Sequence, residues 1–72
     1  MTPGLTDPDA AQDTLERADD EAGLLHVSII ETLAADARGD RPAAAEHVQH
    51  ALGHNATLAR LLRRLARALG EG

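Results

Sequence analysis

From Arg41 to Leu69 the apolar residues keep one unbroken seven-residue rhythm. Ala44, Val48, Ala51, Asn55, Leu58, Leu62, Leu65 and Leu69 are separated by alternating steps of four and three. Steps of that size put all eight on a single stripe of an α-helix. Written as a heptad, Val48, Asn55, Leu62 and Leu69 take position a, and Ala44, Ala51, Leu58 and Leu65 take d. Ala45, Leu52, Ala59 and Ala66 flank at e, and His47, His54, Leu61 and Ala68 flank at g. Four apolar-leaning columns make a wide stripe, of the kind a helix needs when it touches more than one neighbour in a four-helix bundle. Asn55 is the only polar residue at a. A lone Asn there fixes register and oligomer state at some cost in stability; the plainer alternative is a bend or a cap at that point.

Upstream, Thr6-Asp7-Pro8-Asp9 is a helix-start signal. Either Thr6 caps, with Asp9 reaching back, or Asp7 caps with Pro8 as the first helical residue. A first helix is expected over residues 7–37, with Ala11, Leu15, Ala18, Ala22, Leu25 and Ile29 as its early stripe. That register then meets Thr32 and Asp36, so the buried face should rotate toward Ile30, Leu33 and Ala37. Gly23 interrupts the pattern at ~1 kcal/mol relative to Ala, and a break into two shorter helices near it is one expectation. Leu24-Leu25-His26-Val27-Ser28-Ile29-Ile30 is apolar almost all round. A helix without a polar face is normally enclosed on several sides, which a two-helix hairpin cannot do alone.

Arg38-Gly39-Asp40-Arg41-Pro42 is the one clear turn. Gly39 suits the left-handed residue that ends a helix, Asp40 suits the cap of the next, and Pro42 falls where its missing N–H is harmless. The expected layout is a single helical domain over 1–72. It has a flexible start at 1–6, helix 1 at 7–37, a turn at 38–41, helix 2 at 41–69 and a C-terminal cap at 70–72. A short turn makes the helices antiparallel. The acidic stretch 9–21 then lies beside the Arg cluster 60–67, and Glu31 lies near His47 and His50.

Composition sharpens this picture. Seventy-two residues allow one domain at most, and a core of that size rarely supplies more than ~3–5 kcal/mol. There are no cysteines and no Phe, Tyr or Trp. Disulfides and thiolate metal sites are thereby excluded, and the core must be built from Leu, Ile, Val and Ala. Self-association is the expected source of the missing stability. All seven basic residues are Arg; with abundant Ala and Gly this fits a GC-rich genome, so the Arg bias reflects codon usage in part. Residues 1–40 carry a net charge of −8 and residues 41–72 a net +3, matching the total of −5. An acidic chain makes nucleic acid an unpromising partner. No apolar run approaches the ~20 residues of a membrane span. The N-terminus has neither the basic nor the apolar region of a signal peptide, so a cytoplasmic location is expected.

Three groups of residues invite chemistry. His47, His50 and His54 fall within a narrow arc of helix 2, and the hairpin brings His26 beside them. A metal site of His26, His50 and His54 is geometrically possible. Protonating all four histidines would take the net charge from −5 to −1, an in-built pH response. Arg60, Arg63, Arg64 and Arg67 cover the outer face of the last turns. Cations there suit a helix C-terminus, and they could also contact phosphates. Ser28 has His26 and His54 in reach, but no elbow motif or oxyanion glycines accompany it, so no enzymatic activity and no cofactor is expected.

The stretch Ala51-Leu52-Gly53-His54-Asn55-Ala56-Thr57-Leu58-Ala59-Arg60-Leu61-Leu62-Arg63-Arg64-Leu65 resembles the turn and second helix of helix-turn-helix regulators. These favour a Leu-Gly turn, a capping polar residue, then Thr-Val/Leu and an Arg. The resemblance implies a DNA-binding regulator using residues 56–67, with Thr57 and Arg60 in the major groove and Arg63 and Arg64 on phosphates. A turn at residues 52–56 would mark that reading; a continuous helix there would mark the bundle.

The sequence therefore predicts an all-α helical hairpin that dimerises into an antiparallel four-helix bundle. Its expected role is a non-enzymatic protein–protein interaction module for self-assembly, docking or regulation. The expected partner is a second copy, or else another protein. The expected interface residues are Leu25, Ile29, Leu33, Val48, Leu52, Leu58, Leu62 and Leu65, with Asn55 setting register.

Overall fold

The computed structural model describes residues 8–70 as two helices, α1 (Pro8–Ala37) and α2 (Arg41–Gly70), each of 30 residues. They pack against each other as a hairpin with principal-axis extents of 55 × 15 × 14 Å. The flexible start at 1–6, the capping roles of Thr6 and Asp7, the side chain of Asp9 and the end at Glu71-Gly72 lie outside the described residues.

Three residues, Arg38, Gly39 and Asp40, reverse the chain. Gly39 has φ 74°, a left-handed conformation that an L side chain resists. Its N–H donates to the Asp36 carbonyl at 2.9 Å, and the Asp40 N–H donates to the Ala35 carbonyl at 2.9 Å. These two bonds form a Schellman motif and satisfy carbonyls that the end of α1 would otherwise leave unpaired. Asp40 also starts α2. Its carbonyl accepts the Ala44 N–H at 3.0 Å, and its Oδ1 accepts the Ala43 N–H at 3.1 Å. One residue thus closes one helix and caps the next. Asp40→Ala should cost ~1 kcal/mol, read as a lower melting temperature by circular dichroism at 222 nm.

Neither suspected break occurs. α1 runs through Gly23 and α2 runs through Gly53 without interruption. A glycine's helix cost of ~1 kcal/mol is small beside a whole helix of hydrogen bonds and a packed seam. A Cβ built on Gly23 would meet nothing within 4 Å. Gly23→Ala should therefore raise stability by ~0.5–1 kcal/mol; an unchanged or lower melting temperature would contradict this.

The seam between the helices has its own heptad rhythm. On α1 it runs through Thr14, Ala18, Glu21, Leu25, Ser28, Thr32 and Ala35, all buried or half-buried. On α2 it runs through His47, Ala51, His54, Leu58, Leu61, Leu65 and Ala68. Both use steps of four and three, as an antiparallel coiled-coil seam requires. Within the four-column stripe of helix 2 the d and g columns face α1, while the a column of Val48, Asn55, Leu62 and Leu69 is turned out to solvent. On α1, Ile30 and Leu33 are likewise exposed, and the late part of the seam is Ser28, Thr32 and Ala35. The seam is narrow and small-sided. Among the described residues the buried apolar ones are Ala18, Ala35, Leu61 and Leu65, and Ala18, Leu61 and Leu65 form one cluster with Leu58 against it. Thr14 and Ser28 are buried polar residues; Thr14 Oγ1 donates to the Ala10 carbonyl at 2.9 Å, and Thr32 Oγ1 donates to the Ser28 carbonyl at 2.8 Å. Among the described residues no buried side-chain polar atom lacks a partner.

Candidate functional site

The seam uses only part of the apolar surface. Leu15, Ile29, Leu33, Val48, Leu52, Leu62 and Leu69 remain exposed, Leu33 at 64% and Leu69 at 70%. Their positions follow from helix geometry. At ~100° per residue, Leu15, Ala22 and Ile29 lie roughly 80° round α1 from the local seam, and Leu33 roughly 130°, at the outer edge of that side and in the column of His26. On α2, Val48, Asn55, Leu62 and Leu69 lie roughly 80° round in the same rotational sense, with Leu52 somewhat further. On antiparallel helices, equal rotations of one sense lead to the same side of the pair. These residues therefore form one apolar face running the length of the hairpin. At its turn end the face dips into a groove of about 460 Å³ lined by Asp36, Arg41, Pro42, Ala44, Ala45 and Val48.

The opposite face is charged. Arg17, Asp20 and Glu31 of α1 and Glu46, His50, Arg60 and Arg64 of α2 lie the other way round from the seam. A smaller hollow of about 180 Å³ opens there between Arg17, Asp20, Glu21, Thr57 and Leu61. On α2 the two sides differ, apolar on one and ionic on the other; on α1 the charged side is mixed, with exposed Leu24 one heptad from both Arg17 and Glu31 and exposed Val27 one heptad from Asp20. Leu24, Val27 and Ile30 are exposed outside the apolar face, and nothing in the hairpin covers them.

The expected interface residues divide between two jobs. Leu25, Leu58 and Leu65 hold α1 to α2 within the chain. Ile29, Leu33, Val48, Leu52, Asn55 and Leu62 lie on the open face. Two contacts at the seam involve histidine. His54 Nδ1 lies 2.7 Å from Glu21 Oε1, and His47 Nδ1 lies 3.5 Å from Glu31 Oε2. Glu31 beside His47 follows from the hairpin register. The Glu21–His54 pair needed the finer rotation of both helices, which periodicity alone does not supply. The attraction expected between the acidic arm and the Arg cluster takes no direct form: among the described residues no Arg lies within bridging distance of a carboxylate.

The histidine site is not assembled. His26 is exposed on α1, roughly 120° round from the seam and facing outward. His54 is taken up by Glu21, and the His50 ring stands edge-on to His47 with centroids 6.0 Å apart. Among the described residues no three metal-capable side chains converge. The turn demanded by the helix-turn-helix resemblance is also absent, because α2 is helical through residues 52–56. Without a turn Thr57 and Arg60 cannot begin a separate recognition helix. Instead Arg60 Nη2 donates to Thr57 Oγ1 at 3.2 Å, one turn back along α2. Arg63 and Arg64 are exposed along the same helix.

What the fold and this face define is an antiparallel helical hairpin with unpartnered apolar surface, most of it along one side. No helix of the described residues is long and apolar enough to cross a membrane. No protein-family model matches the chain, and neither any curated protein nor any solved structure does.

Proposed function

We propose that the protein is a non-enzymatic self-assembling module, in which two hairpins join through their apolar faces into an antiparallel four-helix bundle. The observation that carries this is the open face itself. On it the large aliphatic side chains Leu15, Ile29, Leu33, Val48, Leu52, Leu62 and Leu69 are each 41–70% exposed in the lone hairpin. Contiguous apolar patches beyond a few hundred Å² are rare on proteins that remain alone. The hairpin's own core supports the same reading, since among the described residues no large side chain is fully buried. A second copy offers a face of the same length, the same flatness and the same aliphatic chemistry, and a two-fold interface lets both faces be covered at once. The wide four-column stripe of α2 then has a use for every column: d and g for α1, a and e for the second copy.

Sedimentation equilibrium at micromolar concentration tests the proposal, with peptide-bond absorbance because Trp and Tyr are absent. The expected mass is twice 7.6 kDa. A compact, folded 7.6 kDa species at that concentration would overturn it.

A further inference from the structure

We propose a specific arrangement for that assembly, which rests on the dimer reading above. The hairpins lie face to face with their turns at opposite ends, so that α2 runs antiparallel over α2 of the second copy and Asn55 meets Asn55 at the two-fold axis.

Two face-to-face arrangements obey two-fold symmetry. With both turns at one end, α1 lies over α2 of the second copy. With turns at opposite ends, each helix lies over its own counterpart. The large aliphatic residues fit either. Leu15 and Ile29 lie seven residues on either side of Ala22, and Val48 and Leu62 lie seven on either side of Asn55. Ala22 and Asn55 sit near one level of the hairpin, as the Glu21–His54 contact at 2.7 Å shows. Opposite-end turns therefore put Leu15 over Ile29, and Val48 over Leu62. Same-end turns put Leu15 over Leu62, and Ile29 over Val48.

Asn55 and the Asp36–Arg41 pair separate the two in opposite directions. Same-end turns set exposed Asp36 against exposed Arg41 of the second copy, a contact worth only ~0–1 kcal/mol. The larger effect is that of Asn55. Same-end turns lay its carboxamide on the methyl of Ala22, where both its donor and its acceptor lose water and gain nothing. A buried polar group left so costs ~1–3 kcal/mol. Opposite-end turns lay it on a second carboxamide. An amide carries both donors and an acceptor, so two of them related by a two-fold can bond to each other. A single polar residue in an apolar seam selects among assemblies in this way, by penalising the alternative.

The groove at the turn end adds an independent argument. Opposite-end turns bring Leu69, the most exposed large aliphatic residue among the described residues at 70%, over Arg41 to Ala45 of the second copy. That is the wall of the 460 Å³ groove. Same-end turns carry Leu69 past Ala11, over the start of α1 instead.

The chain has no cysteine, so a single label can be placed at will. Arg38→Cys carries a nitroxide spin label on the exposed turn, away from the apolar face. Pulsed dipolar spectroscopy on the full chain should give one distance on the order of 50 Å, close to the 55 Å length of the hairpin. Adding Asn55→Leu should keep the dimer mass, raise the melting temperature and introduce a second, much shorter population, set by the ~8–10 Å between neighbouring helices plus the reach of the two labels. A short distance in the Asn55 protein overturns the arrangement while leaving the dimer intact. So does a single long distance that Asn55→Leu leaves unchanged, since Asn55 would then decide nothing. A monomer mass with no dipolar signal overturns the dimer itself.

Discussion

Leu65→Asp should abolish the helical signal at 222 nm at 25 °C, at every protein concentration. Leu65 is 4% exposed and packs with Ala18 and Leu61 in the buried apolar cluster of the seam, with Leu58 against it. Truncating a buried Leu alone costs ~2–5 kcal/mol. A carboxylate in its place adds the penalty of a charge with no partner. The whole core of a chain this small supplies no more than ~3–5 kcal/mol, so the loss equals or exceeds what holds α1 to α2. Association should not rescue the variant, because in the proposed dimer the second copy packs on the open face and not on the seam. Retention of most of the ellipticity would mean that the seam contributes little and that the hairpin is held in some other way.

Leu62→Asp should behave differently, although Leu62 is only three residues away. In the lone hairpin its side chain is 51% exposed. A surface substitution of that kind changes stability by less than about 0.5 kcal/mol. In the proposed dimer each interface would bury two such carboxylates, one per copy, opposite apolar neighbours. The dissociation constant should rise at least about 100-fold, or ~3 kcal/mol. The measured mass should fall to 7.6 kDa. Melting should move to lower temperature and lose its dependence on concentration, because the only remaining stability is that of the seam. An unchanged mass would remove Leu62 from any interface. The pair of substitutions thus separates folding of the hairpin from assembly of hairpins, and only the tertiary structure tells them apart. By sequence both residues belong to the same stripe.

The limits of that stripe are instructive. The turn was legible because glycine and aspartate each have one strong local preference there, and the observed φ of 74° and the Ala43 N–H bond to Asp40 satisfy both. The helices were legible because leucine and alanine recur at helical spacing. Gly23 and Gly53 were ambiguous because a local propensity of ~1 kcal/mol neither breaks nor guarantees a helix. The helix-turn-helix resemblance rested on Gly53 and Asn55 in the same way, and the continuous α2 leaves it without its turn. The histidines were placed near one another by register, but register carries no rotation. It cannot say that His26 points outward while His54 reaches Glu21.

The sequence by itself determined two helices, their turn, their antiparallel course and the presence of more apolar surface than one neighbour can cover. These follow from spacing and from residues whose backbone preferences act within a few positions. Tertiary structure alone decided which columns of that surface close the hairpin and which stay open. That choice turns on rotations of about 50° about each helix axis. Such a rotation leaves the linear pattern untouched and is settled by which side chains are small enough, as Ala18, Ala35 and Ala51 are, to let two helices approach.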